Sequence, residues 1–168
     1  MIKLISLKTN KIKKKQINDI LLLKDQHWKF GIKSQINNFK KNFHKSDINN
    51  CLYLKDELIG YTALKLRSFS YNKNKYFLFD TLIIKKKYRR KNYSLILMDF
   101  NNFIIKNNNK ISFLICDKKM IKFYKNHNWK TLNKNKVIFS DFKTNKIVMS
   151  YNYLNKTKPK SIYLNLKK

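Results

Sequence analysis

The segment from Tyr76 to Lys106 limits the fold more tightly than any other part of the chain. It opens with an apolar and aromatic run, Tyr76-Phe77-Leu78-Phe79-Asp80-Thr81-Leu82-Ile83-Ile84, which reads as a strand. A cationic turn follows, Lys85-Lys86-Lys87-Tyr88-Arg89-Arg90-Lys91-Asn92-Tyr93-Ser94. Leu95 to Lys106 then has the spacing of a helix. A strand that feeds a helix through a basic turn leaves the first-turn N–H groups, and the positive end of the helix dipole, facing an anion. The segment is therefore read as the holder of a phosphate-bearing cofactor.

At 168 residues the chain reads as one domain, residues 1–155, followed by a basic tail over 156–168. Its 43% hydrophobic and 14% aromatic content supports a packed core despite 29% charged residues. No apolar run reaches the length of a membrane span, and Met1 to Ser6 lack the apolar core of a secretory signal, so a cytoplasmic protein is expected. Cys51 and Cys116 read as free thiols of a reducing compartment. His27, His44 and His127 show no metal-ligand spacing, and no metal is expected.

The net charge of +30 comes almost wholly from lysine, the arginines being Arg67, Arg89 and Arg90. Lys, Asn, Ile, Phe and Tyr abound where Gly and Pro are scarce, the pattern of adenine- and thymine-rich codons. The lysines run through nearly every segment and read as that bias. Their field draws nucleic acid non-specifically. A dedicated RNA- or DNA-binding protein, with aromatics that stack bases, is the competing class and requires its basic residues on one face.

Taken in order, residues 2–8 alternate as a strand, and 13–29 read as a helix with Ile17, Ile20, Leu21 and Trp28 near one face, ended by Gly31. Ser34 is expected to cap a second helix carrying Ile36, Phe39 and Phe43. Strands follow at 50–55 and 58–66, joined by a turn at Lys55-Asp56-Glu57, with Gly60 marking a bend or a close backbone approach. After the strand at 76–84, the helix from Tyr93 to Asn107 is expected to bury Tyr93, Ile96, Leu97, Phe100, Phe103 and Ile104. Ile111 to Cys116 reads as a buried strand, and 118–127 as a helix with Met120, Phe123, Tyr124 and His127 on one side. Residues 136–140 and 146–154 read as a final hairpin around Lys143-Thr144-Asn145. The order β-α-α-β-β-β-α-β-α-β-β gives an α/β (α+β) fold of about four helices on a mixed, mostly antiparallel seven-stranded sheet, parallel where 76–84 meets 111–116.

Two motifs on this frame resemble the GNAT superfamily of acyl-CoA N-acyltransferases. Arg89-Arg90-Lys91-Asn92-Tyr93-Ser94 resembles the family's Arg/Gln-x-x-Gly-x-Gly/Ala turn, and Phe123-Tyr124-Lys125-Asn126-His127-Asn128-Trp129 resembles its Phe-Tyr-x-x-x-Gly-Phe block. Asn92, Ser94 and Asn128 stand where the family has glycine or another small residue. Asn is the non-glycine residue most at ease with positive φ, and Ser is small enough for close approach to a pyrophosphate. Asp117 stands where many members carry Asn, placing a negative charge beside the expected cofactor.

The resemblance implies an N-acetyltransferase that moves an acetyl group from acetyl-CoA directly to a primary amine of a small molecule, such as an amino sugar or sugar nucleotide. Arg89, Arg90, Lys91, Asn92, Tyr93 and Ser94 would hold the cofactor, with Leu82, Ile83 and Ile84 offering backbone along the central strand and Asp117 nearby. Tyr124 would protonate the leaving thiolate, Asp80 would serve as base, and His27 with Trp28 would line the acceptor side. A protein that binds CoA without turnover is the alternative within the family, and a monomer or homodimer is expected.

Overall fold

The computed structural model describes residues 1–71, 73–139, 144–153 and 161–165. Among these the α-helices are α1 (Lys14–Trp28), α2 (Ile32–Asn42), α3 (Tyr93–Asn107) and α4 (Ile121–Asn126). The strands are β1 (Ile2–Lys8), β2 (Ile48–Leu54), β3 (Glu57–Ser68), β4 (Lys75–Ile84), β5 (Ser112–Cys116), β6 (Lys130–Thr131), β7 (Val137–Phe139), β8 (Ile147–Tyr151) and β9 (Ile162–Leu164). Seven strands form one sheet in the order β1-β2-β3-β4-β5-β8-β6. It is mixed and mostly antiparallel, and β4 and β5 run parallel, as the intervening helix requires. No helix among the described residues is long and apolar enough to cross a membrane.

Residue contacts divide the chain into two compact units, Met1–Lys65 with Thr81–Asn101, and Leu66–Asp80 with Asn102–Lys168. In the first unit the period of two sorts side chains to two cores. Cys51, Tyr53, Tyr61, Ala63 and Ile83 pack with Ile20, Leu21 and Leu23 of α1 and Phe39 of α2. Their alternates Leu52, Ile59 and Ile84 pack with Leu97 of α3. Gly60 sits beside a bulge in the β2–β3 ladder. A Cβ there would stand 2.8 Å from Ile84 Cδ1 and 3.1 Å from Leu97 Cδ2, so the close approach expected at this glycine is present.

In the second unit Trp129 is the largest fully buried side chain, packed between Phe79, Tyr124 and Tyr151. Its indole N–H donates to Asn102 Oδ1 at 3.0 Å, and Asn102 Nδ2 donates to the His127 carbonyl at 3.0 Å. Two different backbone and side-chain groups are thereby satisfied by one amide.

Several local expectations are corrected. Lys29, in the left-handed conformation at φ 54°, ends α1, and Gly31 at φ 82° is the residue that precedes α2; Ser34 lies inside that helix. The buried face of α3 is Leu97, Met98, Asn101, Asn102 and Ile105, while Phe103 is 54% exposed. The buried amides shift the stripe by a position: Asn101 Oδ1 accepts from Asn50 Nδ2 and Thr62 Oγ1, each at 3.0 Å, and Asn102 bonds Trp129 and His127, which offsets part of the cost of burying them. Among the described residues the two strands expected to form the final hairpin do not pair with each other. β8 lies between β5 and β6, whereas β7 pairs in parallel with β9, a strand within the basic tail whose Ile162 and Leu164 are buried. Lys143 of the expected turn lies outside the described residues.

Candidate functional site

The basic turn of the first unit starts where β4 stops. Lys85 N–H donates to the Ile59 carbonyl at 2.8 Å, and Lys86–Tyr88 form a single 3-10 turn. Arg89 then doubles back, its Nε donating to the Ile84 carbonyl at 3.0 Å and its Nη2 lying 2.9 Å from His27 Nδ1. Arg90 and Asn92 are both left-handed, each at φ 61°. The Asn92 carbonyl accepts from Leu95 N–H at 3.0 Å and from Ile96 N–H at 3.3 Å, which starts α3 at Tyr93.

Asn92 therefore adopts the conformation for which glycine is the usual choice, as its chemistry allows. Ser94 is helical and supplies small size only. Arg90 is the surprise: a long side chain in this region costs on the order of 1–2 kcal/mol, and nothing in its residue type announces it. Among the described residues, the N–H groups of Arg90, Lys91, Asn92, Tyr93 and Ser94 make no hydrogen bond within the protein. Five consecutive donors thus stand at the start of a 15-residue helix beside the cationic side chains of Arg90 and Lys91, an arrangement able to take an anion.

Glu57, read from sequence as a turn residue, holds this loop. Its carboxylate accepts from Lys85 Nζ at 2.6 Å, from the Tyr88 hydroxyl at 2.6 Å and from Lys87 Nζ at 2.9 Å. These hydrogen bonds, Lys85 first, bring its carboxyl down to about 2. Acidic residues are few in this chain, and nothing in the residues around Glu57 marks it for the role.

Leu82 is half-buried, and Ile83 and Ile84 are core residues of the same unit. His27 and Trp28 meet edge to face at 4.8 Å, with Trp28 37% exposed. Partial desolvation, and then the Arg89 charge, keep the His27 imidazole below its ordinary 6.5. The first unit thus joins the basic turn to the end of α1 through Arg89.

In the second unit the parallel ladder spans Phe77–Phe79 against Ser112–Leu114. Asp80 follows it as the exposed residue of an otherwise buried run. Asp117 follows β5, exposed, with Lys146 Nζ 3.4 Å from its carboxylate. Tyr124 is buried, and its ring meets Phe79 edge to face at 6.1 Å. Burial, with the nearby Cys116 second, pushes its phenol up to about 12, above the value near 10 expected of a free tyrosine. Its hydroxyl has no hydrogen-bond partner among the described residues.

No model of a known protein family matches the sequence, and no curated protein matches it. Solved structures do. An acyl-CoA N-acyltransferase from Pseudomonas aeruginosa superposes with a TM-score of 0.68 at 9% identity, over 89% of this chain and 99% of that one. The PaiA N-acetyltransferase from Thermoplasma acidophilum, in complex with coenzyme A, gives 0.61 at 15% identity over 91% and 99%. The Bacillus subtilis N-acetyltransferase YlbP, also in complex with coenzyme A, gives 0.57 at 17% over 90% and 96%. The chain has the GNAT fold. At these identities the likeness is one of backbone architecture.

Proposed function

We propose that the protein is an acyl-CoA N-acyltransferase that moves an acetyl group from acetyl-CoA to a primary amine of a small molecule. The observation that carries this reading is the row of five unpartnered N–H groups from Arg90 to Ser94, on a fold shared with proteins crystallised with coenzyme A. The donor set suits a diphosphate: five consecutive N–H groups are left for a ligand, and Arg90 and Lys91 add charge without a carboxylate between them.

Acetyl-CoA, when bound, supplies a thioester; the amine nitrogen bonds to its carbonyl carbon, the C–S bond breaks and the sulfur leaves as a thiolate. The residues divide the remaining work. Backbone near Leu82, Ile83 and Ile84 is assigned to polarising the carbonyl. Tyr124 is assigned the proton for the thiolate, a role that its protonated, unpartnered hydroxyl supports. Exposed Asp80 is assigned to take the proton lost by the amine, directly or through water, and Asp117 to stand beside the cofactor with its charge moderated by Lys146. His27 and Trp28 are assigned to the acceptor. An anionic acceptor, such as a sugar nucleotide carrying an amine, suits a surface with net charge +30.

The test is calorimetry with coenzyme A, followed by thiol release from acetyl-CoA across a panel of amines, amino sugars and sugar nucleotides. Binding with release in the presence of one amine class supports the assignment. Binding without release under any acceptor points to a coenzyme-binding protein lacking turnover, and absence of binding removes the proposal.

A further inference from the structure

We infer that Glu57 is a positioning residue for the coenzyme loop, and that it serves binding by geometry against the sign of its own charge. The inference rests on the reading of Arg89 to Ser94 as the diphosphate turn. Three groups from the short segment Lys85–Tyr88 converge on this one side chain, using both oxygens: Lys85 on Oε1, and Tyr88 and Lys87 on Oε2. Glu57 is the first residue of β3 and is paired with Leu54 of β2, so its backbone belongs to the sheet and not to the loop.

The clamp reaches the anion receptor by a short route. Tyr88 immediately precedes Arg89, and its ring meets that of Tyr93, the first residue of α3, edge to face at 6.0 Å and 85°. Lys87 Nζ lies 4.9 Å from the centre of the Tyr88 ring and bonds the same carboxylate oxygen. Tyr88, two residues before Arg90, and Tyr93, next after Asn92, thereby flank the two left-handed residues, and the Tyr88 side is fixed by Glu57. Non-glycine residues keep positive φ only where the surroundings over-determine the conformation, and this loop contains no glycine to hold the shape by itself.

Charge and geometry predict opposite signs. A carboxylate near an anion site repels the anion, so as a charge alone Glu57 weakens coenzyme binding, and its removal tightens it. As a clamp it preorganises the donors, and its removal makes the ligand pay for ordering them.

The experiment compares wild type, Glu57→Gln, Glu57→Asp and Tyr88→Phe by calorimetry with coenzyme A and by steady-state kinetics with acetyl-CoA, with circular dichroism melts to confirm folding. The expected result for Glu57→Gln is a Kd for coenzyme A, and a KM for acetyl-CoA, raised about tenfold with kcat within about twofold, the pattern of lost binding that is uniform between ground and transition states. Tyr88→Phe, which keeps the ring on Tyr93 and loses only the hydroxyl, is expected to raise both by a smaller factor without moving kcat. It serves as the deciding variant if Glu57→Gln does not fold. Glu57→Asp, shorter but still charged, is expected to bind as weakly as Glu57→Gln, which separates reach from charge. Coenzyme binding in Glu57→Gln equal to or tighter than wild type, or wild-type binding in Tyr88→Phe if that variant decides, overturns the inference while leaving the proposed function intact. A wild-type protein that does not bind coenzyme A overturns both.

Discussion

Arg89 Nη2 lies 2.9 Å from Nδ1 of His27, so the basic turn and the last turn of α1 are joined through one hydrogen bond. The guanidinium has only N–H groups to offer, so the imidazole nitrogen must accept. That places any proton of the neutral ring on Nε2, and a second proton breaks the contact.

The pH dependence follows with a definite sign. Partial desolvation and then the Arg89 charge hold His27 below 6.5 in the folded protein. The unfolded chain therefore takes up a proton first as pH falls. The stabilisation from neutral His27 is complete above about 6.5 and is lost as pH drops through the lower folded value. A ring-proton NMR titration is expected to give a midpoint under 6.5. Arg89→Gln is expected to move it only part of the way back, because desolvation is the larger cause and stays. A wild-type midpoint at or above 6.5 contradicts the contact.

Asn102 gives a second prediction, about stability. Asn102→Ala strips the buried Trp129 indole N–H and the His127 carbonyl of their shared partner, at a cost of about 1–3 kcal/mol for a buried group left unsatisfied. Thermal unfolding should fall by roughly 2–4 °C per kcal/mol for a chain of this size. Asn102→Asp restores an acceptor for the indole but no donor for the carbonyl, and buries a charge, so it should be no more stable than Asn102→Ala at neutral pH. A variant that melts with wild type would show that the amide is not the partner.

What the chain discloses before folding depends on how far apart the interacting groups lie. The period of two in Tyr76–Ile84, the period of 3.6 in Tyr93–Asn107 and the tolerance of Asn92 for positive φ are local, and each was readable from neighbouring residues. Glu57 reaches its partners 28 to 31 residues away, and Trp129 reaches Asn102 across 27. Nothing in the residues around Glu57 distinguishes a clamp from an ordinary turn. Strand partners were hidden for a related reason: alternation at Val137–Phe139 specifies two faces but not which strand lies alongside, and the partner is Ile162–Leu164 in a tail that reads as mere charge. The buried amides of α3 misplaced its apolar stripe because their partners lie in other elements.

Tyr124 yields the last prediction, which separates a chemical role from a packing role. Burial carries its phenol from 10 to about 12, so the neutral form is favoured by the fold. With a folded value above the unfolded one, that stabilisation is present in full below about 10 and is lost as pH rises through about 12. The hydroxyl is therefore protonated at every pH at which an amine acceptor is assayed, and no alkaline limb of the activity below pH 10 belongs to it. Tyr124→Phe retains the ring contacts with Phe79 and Trp129 and removes a hydroxyl that has no protein partner among the described residues. Its melting temperature should stay near that of wild type, and its Kd for coenzyme A should hold within about twofold. If the hydroxyl delivers a proton to the departing sulfur, kcat for acetyl transfer should fall by about 100-fold, the usual scale of a lost general acid. The loss should shrink when the thioester carries a leaving thiol of lower pKa, which needs protonation less. A variant with wild-type kcat and unchanged leaving-group dependence would assign Tyr124 to packing alone.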